Sequence, residues 1–418
     1  MKRKQTAESL LEGYRGLDLT DEKGLLCGRI LADLGAEIIK IEPPQGDPVR
    51  KFGPFYRDIP HPEHSLYWLA YNVNKKGITL NIETRDGQEL FLRLVKKADF
   101  VLESFSAGYL ERLGLGYPKL SEVNPHLVVT SITPFGHSGP YQDHKASDIT
   151  LMAMGGFMYM IGEPERAPLR ISFDQAYLHA ASEAAVATLV ALYYRGISGE
   201  GQHIDVSAQA SLITSTVNAI PFWQLNQVIL GRAGCYRIGL TATRQRQLWE
   251  CKDGYVIFYI AGGAFGAKSN AALVDWLDSE GLADDFVKGI DWDSFDMATV
   301  TQEVQDHLEK LAGSLFKRYT TTELYEQAIK RGLVLCPVST PKEIVENPQL
   351  KARDYWVKVR HDELGQSFSY PGPFVKYLTS PRPYHRAPLI GEHNKEIYQG
   401  ELGLSEEQLV TLKQAGVI

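Results

Sequence analysis

Cysteine is scarce in this 418-residue sequence, and its spacing excludes several classes of protein. The four cysteines, Cys27, Cys235, Cys251 and Cys336, lie far apart and form no CxxC pair. Structural zinc sites use closely spaced cysteine or histidine pairs, and small secreted folds use a dense disulfide framework. The sequence therefore predicts a protein with no metal site that works in the reducing cytoplasm.

Long apolar runs and an excess of positive charge are also missing. No uninterrupted apolar stretch reaches the roughly 20 residues that span a bilayer. The opening MKRKQTAESLLEGYRG has cations but lacks the hydrophobic core of a signal peptide. The net charge is −7 at pH 7, so the protein does not present the basic field that binds nucleic acid or an anionic membrane. We expect small-molecule partners, with neither nucleic acid nor a membrane among them.

A glycine-rich dinucleotide fingerprint is the third absence. Short β-like segments at 14–19, 36–42 and 99–105 alternate with amphipathic helical segments at 24–35 and 86–98. This alternation predicts an α/β fold with a parallel, Rossmann-like sheet and helices on both faces. The first turn reads LTDEKG and contains no GxGxxG, which disfavours NAD binding.

The length of the chain predicts more than one domain. A linker-like stretch follows residue 218, and QLWECKDGYVIFYIAGG then opens a β-rich unit around an Asp253-Gly254 turn. Near the end of the chain, Ser405 is followed three residues later by Gln408, which predicts a capping box at the start of a last helix.

The residue that invites a chemical interpretation is Asp174. It precedes an alanine-rich helical segment from Gln175 to Arg195, for which Gly196 is the predicted stop. An aspartate in this place usually acts as an N-cap, accepting hydrogen bonds from the first free N–H groups of the helix. An ionised carboxylate beside an activated acyl group is also a covalent nucleophile. Taken alone, the local sequence favours the cap.

Several segments, in the same order along the chain, resemble the family III CoA-transferases, the group that includes carnitine dehydratase, bile-acid-inducible and formyl-CoA transferase-like proteins. The segments are LADLGAEIIKIEPPQGDPVR, YNVNKKGITLNI, ADFVLESFSAGYLERLGLGYPKL, NPHLVVTSITPFGHSGPY, SDITLMAMGGFMYM, DQAYLHAASEAAVATLVALYYRGISGEGQHIDVS and APLIGEHNKEIYQGELGLS. The resemblance is weakest at 217–330. It implies a large Rossmann-like domain built from 1–216 and completed by 331–418, a smaller α+β domain at 225–330, and an interlocked dimer.

The resemblance also implies a reaction. Asp174 occupies the position of the family's nucleophile, which attacks a donor acyl-CoA and forms an aspartyl–acyl anhydride and then an aspartyl–CoA thioester. No tightly bound cofactor is implied, because the coenzyme A thioester is itself a substrate. The residues in the positions of the family's CoA contacts are Arg50, Asn74, Lys75, Ser104, Phe105, Arg112 and Lys145. Without the resemblance, Lys75 and Arg112 read as surface charges and Phe105 equally well as a core aromatic residue.

Two alternatives concern the branch of the family. A 2-methylacyl-CoA racemase or epimerase has a histidine directly before the "DI" segment as its second base. Here Ser147 stands in that place and His144 is the nearest histidine, which favours a transferase. The second alternative is a subunit of a heteromeric transferase with a related chain, and the presence of Asp174 would make this chain the active subunit.

The substrates are less well defined by the sequence. The region 239–249 lacks the run of glycines found in formyl-CoA transferases, which disfavours formate and oxalate. Succinyl-CoA is the suggested donor, and a larger, aromatic carboxylic acid is the suggested acceptor. Arg166 and Arg170 precede Asp174, and either pair with a second carboxylate of the substrate or are ordinary surface charges.

Overall fold

The computed structural model describes residues 9–238, 243–376 and 383–418. The chain divides into two compact units. The first comprises Met1–Phe157, Arg170–Pro221 and Pro348–Ile418, and the second comprises Met158–Leu169 and Phe222–Asn347. Asp174 and all seven residues predicted to contact CoA lie in the first unit.

A six-stranded parallel sheet forms the centre of the first unit. Its strands are β1 (Arg15–Leu19), β2 (Glu37–Glu42), β3 (Lys75–Thr79), β4 (Phe100–Glu103), β5 (Val128–Thr133) and β6 (Gln202–Ser207). Their order is β3-β2-β1-β4-β5-β6, and every neighbouring pair is parallel. This confirms the predicted Rossmann-like sheet. The order reverses between β1 and β4, and the carboxyl ends of two such strands border the crevice where α/β sheets bind ligands.

Ten helices lie before residue 227 in the described chain; the seventh and the tenth begin in the first unit and end in the second. They are α1 (Leu25–Asp33), α2 (Leu66–Tyr71), α3 (Arg85–Val95), α4 (Tyr109–Arg112), α5 (Tyr117–Val123), α6 (Asp148–Met154), α7 (Phe157–Met160), α8 (Ala176–Ser198), α9 (Ala208–Ser215) and α10 (Ala219–Asn226). One side of α3 packs into a core with the sheet because its apolar residues recur at helical spacing, including Leu90, Phe91 and Leu94.

The helix α8 packs against α1, β5 and α9. Its buried side is dominated by alanine, which lets helices and strands approach closely. The helix continues to Ser198, so the predicted stop at Gly196 was wrong; Gly199, with φ of +78°, forms the left-handed C-cap instead. By length and composition α8 is apolar enough to cross a bilayer, and half of its most apolar window is buried inside the protein.

The second unit contains two small antiparallel sheets. One pairs β7 (Tyr236–Ile238) with β8 (Arg244–Arg246), and the other has the order β11-β10-β9, with β9 (Leu248–Glu250), β10 (Tyr255–Phe258) and β11 (Leu335–Pro337). The helices are α11 (Gly263–Ser279), α12 (Asp285–Lys288), α13 (Gln302–Phe316), α14 (Thr321–Arg331) and α15 (Pro341–Glu346). The turn at Asp253-Gly254 joins β9 to β10, as predicted.

The end of the chain returns to the first unit. It forms α16 (Pro348–Ala352), a hairpin of β12 (Trp356–His361) and β13 (Gln366–Pro371), a π-helical segment (Lys395–Glu401) and α17 (Glu406–Gln414). The capping box of α17 is confirmed, because the Ser405 hydroxyl accepts the Gln408 N–H and the Gln408 side chain accepts the Ser405 N–H. Short 3-10 turns lie at Pro48–Lys51, Tyr56–Asp58 and Asp362–Leu364.

Candidate active site

Asp174 lies in the loop directly before α8, and its side chain is exposed. The prediction that it caps α8 was wrong. Within the described residues its carboxylate has no hydrogen-bond partner, and the N-cap position belongs to Gln175, whose side chain makes no capping bond. The helix is capped from another element instead: Oδ1 of Asp148 accepts hydrogen bonds from the backbone N–H groups of Gln175 and Ala176, both at 2.7 Å.

This exchange of roles has a physical reason. Asp148 is the first residue of α6 and is only 8% exposed, so its carboxylate is held firmly against the start of α8. Asp148 thus satisfies two of the four free N–H groups at the start of α8, the two nearest to Asp174 in the chain. The Asp174 carboxylate is therefore left exposed, without a hydrogen-bond partner among the described residues.

The protonation of Asp174 is also perturbed. Partial burial raises the pKa of its carboxyl group, the negative charge of Asp148 raises it further, and the positive charge of Arg170 opposes the increase. A more basic carboxylate is a stronger nucleophile once it is ionised. The charge of Arg170 thus acts on Asp174, and whether Arg170 also pairs with a carboxylate of the substrate stays a prediction.

Three tyrosines share the electrostatic environment of Asp174. Burial raises the pKa of the Tyr67, Tyr71 and Tyr177 hydroxyls, and the charge of Asp174 adds to the increase in each. Tyr67 and Tyr71 come from α2, with ring centroids 4.6 Å apart, and Phe52 packs edge-on against Tyr67 at 6.0 Å. The surroundings of Asp174 therefore combine aromatic surface with hydroxyl groups that stay protonated and can donate hydrogen bonds.

The loop between β1 and α1 faces the same tyrosines. The charges of Asp21 and Glu22 act on both Tyr67 and Tyr177, which places this loop and Asp174 on one side of the unit. Burial, and then the charge of Asp21, raises the pKa of Glu22 itself. The loop follows β1, so it lies at the carboxyl end of the strand where the sheet order reverses.

The segment after β4 meets this loop and contains three of the predicted CoA contacts. The Ser104 hydroxyl accepts the Asp21 N–H at 2.9 Å and donates to the Asp21 carboxylate at 2.7 Å. The Phe105 ring stacks on Tyr109 at 4.6 Å, and the Arg112 guanidinium lies 5.9 Å from the centre of the Tyr109 ring. The structure therefore brings Ser104, Phe105 and Arg112 together at the crevice between β1 and β4.

Arg50 is enclosed by protein. It forms a two-bond ion pair with Glu42 at 2.6 and 2.8 Å, bonds Glu63 at 2.6 Å, and stacks over Trp68 at 3.7 Å. It also donates to the Pro388 carbonyl. Its predicted contact with CoA stays a prediction, and in this structure its guanidinium donors already have protein acceptors.

Lys75 and Asn74 likewise have protein partners. The Lys75 ammonium is buried and donates to the Asp18 carboxylate at 2.8 Å and to the Leu25 carbonyl at 2.9 Å. Burial favours the neutral form of Asp18 and would raise its pKa. The positive charges of Lys75 and Lys40 have the larger combined effect and hold the pKa of Asp18 below its usual range. Asn74 precedes β3, at the amino-terminal edge of the sheet, and donates to Asp33 at 2.8 Å. Their contact with CoA stays a prediction.

Lys145 is exposed, three residues before the capping Asp148. Next to Asp148, the Ser147 hydroxyl lies 3.1 Å from that of Thr150, while the His144 ring packs beside Tyr141 at 5.0 Å. Ser147, the predicted counterpart of a racemase histidine, therefore lies at the N-cap of α6 and contacts Thr150. Among the described residues, no group of three or more His, Cys, Asp or Glu side chains is arranged to hold a metal ion.

Comparison with known proteins identifies the family. A family model described as CoA-transferase family III matches residues 11–394. The chain belongs to this family. It is similar to succinyl-CoA:(R)-benzylsuccinate CoA-transferase subunit BbsE from Thauera aromatica, with 34% identity over 97% of each chain. It is 32% identical to a formyl-CoA:oxalate CoA-transferase from Streptomyces avermitilis, over 98% of this chain and 99% of the relative.

Among solved structures, a CAIB/BAIF family protein from Brucella suis superimposes with a TM-score of 0.79, at 27% identity, over 94% of this chain and 99% of that one. The protein is therefore a family III CoA-transferase, and the predicted family and transferase activity are confirmed.

Sequence reasoning missed several residues of this CoA-transferase site. Asp148 looked like part of a family motif and not like a cap, because the helix it caps begins more than twenty residues later. Tyr67 and Tyr71 were not singled out in the sequence. Their four-residue spacing on one helix face was the available signal, but nothing in the sequence placed that face beside Asp174.

Proposed function

We propose that this protein transfers coenzyme A from succinyl-CoA to an aryl-substituted carboxylic acid, with Asp174 as the covalent nucleophile. The observation that carries the proposal is the exposed Asp174 carboxylate, which has no hydrogen-bond partner within the described residues and stands at the start of a helix that Asp148 caps. The similarity to a transferase of succinyl-CoA and benzylsuccinate supports the two substrate classes.

The first half-reaction loads the enzyme. An Asp174 oxygen attacks the thioester carbonyl of succinyl-CoA, the new C–O bond forms an anhydride, and the C–S bond breaks to release the CoA thiolate. The thiolate then attacks the Asp174 carbonyl carbon. Succinate leaves with one oxygen that came from Asp174, and an Asp174–CoA thioester remains.

The second half-reaction mirrors the first. The acceptor carboxylate attacks the Asp174–CoA thioester, which forms a second anhydride and again releases the thiolate. The thiolate attacks the acyl carbon of the acceptor, so the new acyl-CoA leaves and Asp174 regains a carboxylate. One of its oxygens now comes from the acceptor.

Oxyanions form at each attack and need hydrogen-bond donors. The N–H groups of Gln175 and Ala176, which open α8, already donate to Asp148. We assign the role instead to the Tyr67 and Tyr71 hydroxyls, whose raised pKa keeps them protonated. These residues are also the aromatic surface that suits an aryl acceptor.

Coenzyme A is assigned to the crevice between β1 and β4. Ser104 and Phe105 border this crevice, Phe105 offers a stacking surface with Tyr109, and Arg112 offers a planar donor for phosphate. Lys145 provides a further exposed cation near α6. Arg50 and Lys75, which already bond acidic side chains, are assigned a supporting role in this proposal.

An isotope experiment tests the mechanism. The enzyme is incubated in D2O with succinyl-CoA and an acceptor whose carboxylate oxygens are labelled with ¹⁸O. Three acceptors are tested in separate reactions: (R)-benzylsuccinate, acetate and oxalate. We expect benzylsuccinyl-CoA to form, and we expect one ¹⁸O to enter the released succinate after the first turnover. Succinate that stays unlabelled over many turnovers would rule out the aspartyl anhydride.

The same mass spectra separate the alternatives. A 2-methylacyl-CoA added to the mixture gains deuterium without any new thioester if the protein is a racemase. Asp174→Ala abolishes transfer in our proposal while CoA binding persists, and Asp143→Ala, an exposed aspartate on the loop before α6, serves as the matched control. Transfer by the Asp174→Ala variant at the wild-type rate contradicts the assignment.

We further propose that two copies of the chain form the interlocked dimer of the family. The support is an exposed apolar stripe along α8, formed by Val186, Val190, Tyr193, Tyr194 and Ile197. Stripes of this kind mark association surfaces. Sedimentation of the wild type should give a dimer, and Val190→Glu should shift it toward monomer. A wild type that sediments as a monomer excludes the homodimer and leaves a related chain as partner.

A further inference from the structure

A second cavity lies in the first unit, with a volume of about 730 Å³. It is bordered by the end of α1, by Ala36 and Asn74, which precede β2 and β3, and by the first residues of β12. Its size falls within the range of pockets that hold small organic ligands.

This cavity is separate from the Asp174 site. The loop that faces Asp174 follows β1, at the carboxyl edge of the sheet, whereas Ala36 and Asn74 precede their strands at the amino edge. Strands of five or six residues separate the two edges by about 17–20 Å. A ligand in the cavity therefore does not reach Asp174.

Unsatisfied polar groups gather at this cavity. Within the described residues, eight hidden side-chain N or O atoms have no hydrogen-bond partner, and three of them belong to residues that line it: Ser9 Oγ, Trp356 Nε1 and the Tyr384 hydroxyl. The Tyr384 hydroxyl lies near Asp33 without hydrogen-bond geometry. Buried polar atoms are nearly always bonded in native proteins, so such a concentration indicates a missing partner.

All three groups can donate a hydrogen bond, and the indole N–H can only donate. Burial raises the pKa of the nearby Asp33 carboxyl, which already pairs with Arg29 at 3.6 Å and accepts a hydrogen bond from Asn74 at 2.8 Å. The missing partner is therefore an acceptor, such as a carboxylate or carbonyl oxygen.

The walls and the rim favour a negatively charged, aromatic ligand. Tyr355 and Trp356 present neighbouring rings, 5.2 Å apart. Arg353 and Lys358 are exposed lining residues that form no ion pair within the described part of the chain, while the third cation, Lys376, pairs with Asp354 at 3.2 Å. The two unpaired cations are free to attract an anion.

We propose that this cavity is a second ligand site, which binds an aromatic carboxylate through Trp356 Nε1–H while the ring of the ligand packs against the aromatic wall. The site binds without reacting, and it does not depend on the function proposed for Asp174.

The experiment observes the indole N–H groups directly. The full-length protein, with ¹⁵N-labelled tryptophan, is titrated with 3-phenylpropanoate, and Trp356→Phe assigns the Trp356 resonance. We expect this resonance to move downfield and to saturate. Those of Trp68 and Trp249, whose Nε1 groups already donate to carbonyl oxygens at 3.1 and 2.6 Å, should stay in place. A Trp356 resonance that does not move overturns the proposal.

Calorimetry provides the second measurement. Trp356→Phe should weaken the binding of 3-phenylpropanoate about fivefold, since one hydrogen bond contributes about 1 kcal/mol. Asp174→Ala should leave this affinity unchanged. The opposite pattern, in which only Asp174→Ala changes the affinity, places the acid at the nucleophile and refutes the second site.

Charge reversal at the rim of the cavity tests the site independently, even if Trp356→Phe alters the fold. Lys358→Glu should weaken 3-phenylpropanoate binding about two- to fivefold, as expected for an exposed charge pair, and should not affect the neutral 3-phenylpropan-1-ol. Lys413→Glu, the same change on the exposed surface of α17, is the control. Equal effects of Lys358→Glu and Lys413→Glu on the acid contradict a local site.

Discussion

The capping of α8 by Asp148 leads to the sharpest prediction. Replacing Asp148 by alanine removes the acceptor of two backbone N–H groups, those of Gln175 and Ala176, at 2.7 Å each. Both lie at the start of the helix that follows Asp174, so the same change tests the stability of the unit and the placement of the nucleophile.

The magnitude follows from these two bonds. Hydrogen bonds to a charged group contribute about 1.5–3 kcal/mol each. Because Gln175 is only half-buried, water can bond its N–H group in the variant and compensate for part of the lost hydrogen bond. We expect Asp148→Ala to reduce the free energy of unfolding by about 3 kcal/mol, within the range for loss of a buried polar network. Asp148→Asn keeps an acceptor oxygen, and asparagine caps helices as well as aspartate does. This variant should therefore lose only about 1 kcal/mol of its free energy of unfolding.

The pH dependence of activity gives the second part of the test. Asp174 attacks as the anion, so activity is present above its pKa and is lost as the pH falls through that value. Because the charge of Asp148 contributes to the raised pKa of Asp174, Asp148→Asn should move this acid limb to lower pH.

The measurements are urea unfolding at pH 7 and the pH profile of kcat/KM, for Asp148→Ala, Asp148→Asn and Asp143→Asn. Asp143 lies on the exposed loop before α6 and should change neither quantity. The reasoning is refuted if Asp148→Ala unfolds within about 0.5 kcal/mol of the wild type, the range of ordinary surface changes. It is also refuted if the acid limb of Asp148→Asn stays in place or moves to higher pH.

Three further predictions concern buried charges of the same unit. Burial raises the pKa of Glu103 to about 7, so between about pH 4.5 and pH 7 the folded state keeps a proton that the unfolded state loses. The free energy of unfolding should therefore fall by about 3 kcal/mol as the pH rises through this range. Glu103→Gln should abolish this pH dependence in urea titrations. Lys75→Met leaves the buried Asp18 carboxylate without its cation and should lower the free energy of unfolding by about 3 kcal/mol. A double variant with Asp18→Leu should recover most of this loss. If the losses of the two single variants simply add in the double variant, the pairing is contradicted. Arg50→Lys loses the two-bond ion pair and the stack on Trp68 and should destabilise the protein by about 2 kcal/mol in the same assay; an unchanged unfolding midpoint would argue against that stack.

Local patterns determined the secondary structure of the first unit. The segments at 14–19 and 36–42 match β1 and β2 closely, because apolar residues in a parallel strand form short continuous runs that need no distant partner to be recognised. The capping box at Ser405 is equally local, since both of its residues lie in one helical turn. The family, and the position of Asp174 within it, likewise followed from the order of segments along the chain.

Only the tertiary structure decided how charges are paired. The sequence predicted Asp174 as the cap, yet the cap comes from Asp148, which is 27 residues from the N–H of Gln175. Lys75 bonds Asp18 across 57 residues, so an apparent surface cation is buried inside the sheet. A carboxylate or an ammonium group has the same local appearance in the sequence whether it meets water, a helix end or an opposite charge. Which of these it meets depends on contacts between elements far apart in the chain, and periodicity within one element carries no information about them.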